Sequence, residues 1–542
     1  TDPHDLKNSF VRIGKNDGAS WTYKNASVSG TGPFETSNTG PYTSFSSFGA
    51  FGMTPVHNIT QMTDYATIQE AIDDANPNDV IVCDPGTYTE VINIHTPVVL
   101  NGPNQGISGN GVRGTEAILL NCSIDINNAG TTIIDGFHIL RNDGTEGDQI
   151  ILDGSGTNTV QNCLIERNGS AAGINIRAIT TTAGGGTKNI LNNKITGDAS
   201  GGLFGSHLTW NNAIYVNSGT ALVNINNNII MNCRTAMNID DSNTNISVSG
   251  NTFDNNGTHI SYGGTSPTSG SHTLGSNDFK APGSAIINLS NVTTTFRLDI
   301  TSSSYNGVVF SSIPLSTLFS IEAGMFHRSR SGRNGLVYYV ANNLYVRSDL
   351  NNNVQTAIDY AAPGDVINIM DGTYNQRLTI SKSLTLDGQS KAGTIFSGTG
   401  LMGTGSGIAL NNNVTNVTIK DLTVQNFITG LSPNTSAGIY APANNNNLII
   451  DNVNVQNNTN AAGFYANGPI DNVAITNSMW ANHGPGARGI VIWNGLKTNV
   501  TITGNTVTNN NCCGIELSDG NASAVNISNN TIDIGGGDNA IG

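Results

Sequence analysis

The chain has 542 residues, with 38 Asp and Glu against 23 Lys and Arg, for a net charge of −15. Only 11% of residues are charged, well under the quarter usual in soluble domains, so surface polarity must come from Asn, Thr, Ser and Gly. An acidic chain this poor in Lys repels phosphate backbones, so no nucleic-acid partner is expected. No stretch reaches the ~20 apolar residues of a membrane helix, so no membrane insertion is expected either.

Residues 1–55 place Trp21, Tyr23, Phe34, Tyr42, Phe45, Phe48 and Phe51 among Gly, Ser and Thr. That pattern reads as a β-sandwich-like segment, too short for a complete sandwich of ~100 residues. Next come Ile68, Ala71, Ile72 and Ala75 at helical spacing, a short amphipathic helix suited to covering the first rung of a coil. Val354, Ala357, Ile358 and Ala361 repeat it. The correspondence runs on through Gly86-Thr87-Tyr88 and Gly372-Thr373-Tyr374, then Leu100-Asn101-Gly102 and Leu386-Asp387-Gly388, all at one offset. A constant offset means a duplicated domain.

A shorter repeat lies inside each copy: two apolar residues at period 2, an Asn, Gly or Asp, then a second short apolar strand. Its central position falls at Ile134, Val160, Ile190, Ile225, Val248, Leu274 and Ile300, and again at Ile419, Ile450, Ile475, Ile502 and Ile527. A strand of period 2 buries alternate residues, and the Asn or Gly turns the chain. Recurrence at roughly 25 residues stacks such units into a solenoid. The expected class is all-β, with two tandem right-handed parallel β-helices over 60–306 and 346–542, joined by a connector over 307–345. Ile134, Val160, Ile190 and Ile225 should form one internal line. Asn162, Asn192, Asn227, Asn452, Asn477 and Asn529 fall at equivalent turns and suggest an internal amide ladder.

The opening Thr67-Ile68-Gln69-Glu70-Ala71-Ile72, with Asp79-Val80-Ile81-Val82, Gly86-Thr87-Tyr88-Thr89-Glu90 and Leu100-Asn101-Gly102, resembles the pectin-lyase-like superfamily. It is similar to the start shared by pectin methylesterases and noncatalytic surface β-helices. The connector resembles segments between β-helices in very large secreted bacterial surface proteins. The resemblance implies fold; function must be argued from sites. The later methylesterase signatures are missing, and so are the Gly-His-Gly and Arg-Ile-Lys of polygalacturonases. Glu90 belongs to the opening, with Gln376 in its place in the second copy, and is read as structural.

Candidate chemistry is sparse. Adjacent Asp240 and Asp241 should point to opposite faces of a strand, so no catalytic residue is assigned. Asp143, Glu146 and Asp148 on a Gly-rich loop are calcium candidates, the only cofactor considered. Arg141, Arg167 and Arg177 could line a groove with them, and Trp210, Tyr215, Trp480 and Trp493 could stack on sugars. The nine His show no metal or triad spacing. The six Cys read as small core residues, with Cys512 and Cys513 on opposite sides of a strand. Asn168, Asn245, Asn416 and Asn526 open sequons that an Asn- and Thr-rich chain generates by composition.

The start at Thr1 shows no signal peptide, and Gly542 falls inside a repeating pattern, which suggests a segment or processed form of a larger secreted protein. The functional expectation is an extracellular structural or adhesive surface protein, self-associating end to end or joined to neighbouring domains. The alternative is a carbohydrate-active enzyme or a module binding acidic polysaccharide. Catalysis stays open, with the noncatalytic reading favoured.

Overall fold

The computed structural model describes the backbone of residues 11–16, 21–29, 35–38 and 47–52. It describes backbone and side chains for 54–143, 145–168, 176–182, 184–198, 209–217, 219, 222–240, 245–263, 272–293, 295–328, 334–350, 353–428, 436–459, 462–484, 486–510, 512–534 and 540–542, with Asn539 as backbone. The chain divides into two compact units, Thr1–Ser284 and Ala285–Gly542.

In the first unit, the strands Val11–Asn16, Trp21–Ser29, Glu35–Asn38 and Ser47–Gly52 form one antiparallel sheet. The rest is a coil of three stacked sheets. The first sheet runs from Asp79–Cys83 through Val98–Asn101, Thr131–Asp135, Thr157–Gln161, Thr187–Leu191, Leu222–Asn226 and Asn245–Ser249 to His272–Gly275. The second starts at Gly86–Tyr88 and the third at Ile92–Ile94, each continued by one strand per rung. Neighbouring rungs pair in parallel and in register: Ile134 with Val160, Val160 with Ile190, Ile190 with Ile225, Ile225 with Val248, and Val248 with Leu274. All but Leu274 of that line are wholly buried. Ile300 does not continue it. It follows the strand Phe296–Asp299, which pairs with Gly335–Tyr338 in a separate two-stranded sheet of the second unit.

The second unit repeats the plan with sheets starting at Asn343–Val346, Gly372–Tyr374 and Leu378–Ile380. Here Leu386, Ile419, Ile450, Ile475, Ile502 and Ile527 form the line.

The corner between the first and second sheets follows one local rule. A residue with left-handed backbone angles ends the first strand, and the residue after it turns inward. Asn162, Asn192, Asn227, Asn452, Asn477 and Asn529 all have φ between 51° and 58°, a region where Asn is tolerated far better than other side chains. These are therefore the turn residues, and the expected internal ladder is displaced by one position. At that next position Asn193, Asn228, Asn251 and Asn277 are buried and linked in a ladder. Asn193 Nδ2 donates to Asn228 Oδ1 (3.1 Å), Asn228 Nδ2 to Asn251 Oδ1 (3.0 Å) and Asn251 Nδ2 to Asn277 Oδ1 (3.0 Å). Each oxygen also accepts the backbone N–H of the rung before. Such a ladder satisfies polar groups that burial would otherwise leave unpaired. The left-handed residue reverses the side-chain alternation, so a strict period-2 count assigns the inward position one residue too early.

Each coil opens under a short helix, Ile68–Asp73 or Val354–Tyr360. Glu90 accepts the N–H groups of Ile68 (3.0 Å) and Gln69 (2.9 Å), and Gln376 accepts that of Gln355 (3.3 Å). Glu90 thus holds the helix terminus, a specific duty for a residue that the sequence marks only as part of the structural opening.

Candidate functional site

Along the third sheet of the first unit, inward positions are apolar and an outward column lies between them. It runs Asn93, Asp125, Ile151, Thr180, Tyr215, Asn238, Ser261, one residue per rung. Beside it, Asp148 registers with Arg177 and Arg177 with Asn212. Arg177 lies over the Tyr215 ring, 3.8 Å from its centroid, with Nη1 3.6 Å from Asp148 Oδ1. The Tyr215 hydroxyl donates to Asp240 Oδ2 at 2.7 Å. Burial, with Asp240 as acceptor, pushes the Tyr215 phenol up to about 12.

Among the described residues, four polar atoms on this face are buried without a hydrogen-bond partner: Asp125 Oδ1, Arg177 Nε, Thr180 Oγ1 and Asn238 Oδ1. Burial, then nearby Asp153, raises the Asp125 carboxyl above its ordinary value. Buried polar groups are nearly always satisfied in native proteins, so these atoms stand out along this face.

The second unit carries a different outward column on its third sheet: Thr379, Ala409, Tyr440, Tyr465, Val491, Glu516. The Tyr440 and Tyr465 rings stack at 5.7 Å, and Trp493 meets Tyr465 edge-on at 5.8 Å. Glu516 accepts from Arg488 Nε (2.5 Å) and Trp493 Nε1 (2.8 Å). Tyr440 and Trp493 keep part of their surface exposed.

Other sequence candidates fall elsewhere. Trp210 and Trp480 are wholly buried core residues and offer no stacking surface; Tyr215 and Trp493 are the two of the four that face outward. Arg141 and Arg167 pair across the second sheet and are buried, leaving only Arg177 on the groove face. Arg141 donates to Asp143 Oδ1, Thr145 Oγ1 and the Glu146 and Gly147 carbonyls. Asp143 is thus engaged by Arg141 and Asp148 by Arg177, while Glu146 is exposed. No group of three His, Cys, Asp or Glu suited to a metal occurs among the described residues. Asp240 lies on the face, and Asp241 lies outside the described residues. Cys512 and Cys513 do not take opposite sides: their sulfurs are 3.1 Å apart. The row of unpaired atoms was missed because Asp125, Thr180 and Asn238 are unremarkable until the register aligns them.

Residues 382–540 match a family model described as a right-handed β-helix region. Together with the stacked parallel sheets, this establishes the right-handed parallel β-helix expected from the opening motif. Among solved structures, the chain is similar to the periplasmic alginate epimerase AlgG at 9% identity, covering 83% of this chain and 86% of that one, with a TM-score of 0.18. It is also similar to the A-module of the Azotobacter vinelandii mannuronan C-5 epimerase AlgE6 at 10% identity, covering 84% and 93%, with a TM-score of 0.17. At these values site and activity rest on this chain's own residues. No curated protein matches the chain.

Proposed function

We propose that this chain is an extracellular, noncatalytic surface module that holds a polysaccharide along the outward face of the third sheet in its first unit. The supporting observation is the row of unpaired buried atoms at Asp125, Thr180 and Asn238, flanked by the Arg177–Tyr215 pair. Rungs repeat at ~4.8 Å, and Asp125, Thr180 and Asn238 stand on alternate rungs, so hydroxyls of every second sugar in an extended glycan can meet them. Among the described residues of this column and its flank, the carboxylates of Asp125, Asp148 and Asp240 outnumber the guanidinium of Arg177. With the net charge of −15, this balance favours a neutral glycan over a polyuronate. The half-exposed Tyr440 and Trp493 offer a second, aromatic contact for sugar rings.

Adhesion in this reading is multivalent and needs no bond-breaking chemistry. The modules also act as scaffold, associating end to end or with neighbouring domains of a longer chain. Calcium at Asp143, Glu146 and Asp148 is not required, since two of the three already have arginine partners.

Affinity electrophoresis of the full chain against neutral and acidic polysaccharides tests the proposal. Retardation by a neutral glycan, reduced at least tenfold in affinity by Asn238→Ala or Tyr215→Ala, is expected. About 1.4 kcal/mol corresponds to that factor, within reach of one or two lost hydrogen bonds. Retardation by none of the glycans, or release of reducing ends or unsaturated uronides during incubation, overturns it.

A further inference from the structure

Five of the six cysteine environments are explained by the fold. Cys163 follows left-handed Asn162 at the same inward corner as the buried asparagines, and Cys122 and Cys233 follow left-handed Asn121 and Asn232 at the inward corner between the second and third sheets. Their thiols donate to the carbonyls of Tyr88 (3.2 Å), Gln161 (3.1 Å) and Met231 (3.1 Å). Cys83 is a buried residue of the first sheet. Cys513 opens the strand Cys513–Ser518 on the third sheet of the second unit and registers with Asn539.

Cys512 is the one that departs from the pattern. Its N–H donates to the Ala487 carbonyl at 3.1 Å, which turns the chain just before the strand. In an extended strand, neighbouring side chains would diverge to opposite faces. The turn instead brings Cys512 Sγ within 3.1 Å of Cys513 Sγ, about 1 Å beyond the ~2.05 Å of a covalent S–S bond. Cys512 keeps partial exposure while Cys513 is buried, and the guanidinium of Arg488 acts on both sulfurs.

We propose that Cys512 and Cys513 are a redox modification site that closes reversibly into a vicinal disulfide. The oxidant class is a small-molecule disulfide. The Cys512 thiolate attacks one of its sulfurs, forming a mixed disulfide and releasing one small thiolate. The Cys513 thiolate then attacks Cys512 Sγ, forming the Cys512–Cys513 bond and releasing the second. In sum, two protein thiols and one disulfide become one protein disulfide and two small thiols. Attack begins at Cys512 because it is accessible; burial, then the neighbouring Cys512 thiol, pushes the Cys513 thiol up to about 12. A bond between adjacent residues closes almost no loop, so it removes little entropy from the unfolded chain. The pair is therefore a local sensor at the edge of the Arg488–Glu516–Trp493 cluster and not a staple.

The test incubates the full chain with glutathione disulfide, denatures it, alkylates with N-ethylmaleimide and maps peptides by mass. The expected peptide holding Cys512 and Cys513 has lost two hydrogens and takes up no maleimide, while Cys83, Cys122, Cys163 and Cys233 are fully alkylated. Dithiothreitol should restore both sites, and the melting temperature should barely move. Cys513→Ser should leave glutathione bound at Cys512. Maleimide on both sulfurs of the oxidised wild-type chain, a persistent glutathione adduct there, or disulfide-linked dimers through Cys512 would each overturn the proposal, whether or not the variant folds.

Discussion

Two neighbouring residues at each corner of the coil carry opposite duties, and substitution should separate them. Asn227 has φ 58° and is exposed, whereas Asn228 is fully buried and holds five hydrogen bonds through its side chain, among them those to the Ile190 carbonyl and Asn251. Asn227→Gly should be nearly neutral and Asn227→Ala should cost about 1 kcal/mol, the strain of the left-handed region. Asn228→Ala should cost roughly 2–4 kcal/mol, because buried donors and acceptors on both neighbouring rungs lose their partners. Urea denaturation of the three variants checks this, and equal midpoints for Asn227→Ala and Asn228→Ala would show the ladder assignment to be wrong. A histidine takes the buried role at the next corner of the second unit. The His483 ring nitrogen Nδ1 accepts the Asn458 N–H at 3.3 Å, and the His483 N–H donates to Asn510 Oδ1. Burial lowers its pKa from 6.5 to about 4. Between those values the unfolded chain binds the additional proton, so the contribution is complete above pH 6.5 and is lost as pH falls toward 4. The lost stability is roughly 3 kcal/mol. His483→Asn, copying Asn458 and Asn510, should flatten that limb of an acid-unfolding curve; an unchanged slope would refute the assignment.

The helices that open the two coils illustrate at the level of elements what the sequence displays and what it conceals. Their apolar spacing predicted them, and Ile68, Ala71 and Ile72 are buried, as are Val354, Ala357 and Ile358. Their polar face also closes the sheet edge, a duty with no signature in hydrophobic periodicity. Gln69 Oε1 accepts the Asn93 N–H (2.7 Å) while its Nε2 donates to the Asn93 carbonyl (3.2 Å). Gln355 does the same to Thr379, at 2.7 and 3.0 Å. One amide thus imitates a missing strand on an otherwise open edge. Gln355→Ala should destabilise the second unit by about 1–2 kcal/mol, and Gln355→Glu should fail to rescue it, since a carboxylate cannot donate to the Thr379 carbonyl. Hydrogen exchange at the Thr379 amide reads this directly, and unchanged protection would remove the edge-capping role. A second concealed signal is Gly438, Gly463, Gly489 and Gly514, each preceding an inward apolar residue. A Cβ on Gly438 would meet the Gly463 carbonyl at 2.8 Å, and one on Gly463 would meet that of Gly489 at 2.8 Å. The corner leaves no room for side chains, and the motif is visible only once rungs are aligned. Strand register was legible because Ile419, Ile450 and Ile475 are regular. The outward columns were not, because the distances between rungs in sequence vary with loop length and mix outward residues with turns.

At the scale of the whole molecule, the low charge content decides how the protein should respond to its medium. Ion pairs are few in a chain that is 11% charged, and many of those described are exposed or half-exposed, as in Lys280–Asp254 and Lys420–Asp387. Such pairs contribute ~0–1 kcal/mol and are screened within ~10 Å at 0.1 M salt. Amide ladders and apolar columns do not depend on ionic strength in that way, so thermal stability should change little between low and high salt. The proposed glycan face makes the same distinction for binding. A polyuronate held by Arg177, or bridged to Asp143 and Asp148 by calcium, would be released by salt or by a chelator. A neutral glycan held by Thr180, Asn238 and the Tyr215 ring rests on short-range hydrogen bonds and ring contact, which neither treatment removes. Retention measured across a salt series, with and without a chelator, should therefore stay within about twofold, less than 0.5 kcal/mol. A tenfold loss in salt would point to an anionic ligand, and loss in chelator alone would return Asp143, Glu146 and Asp148 to the centre of the site.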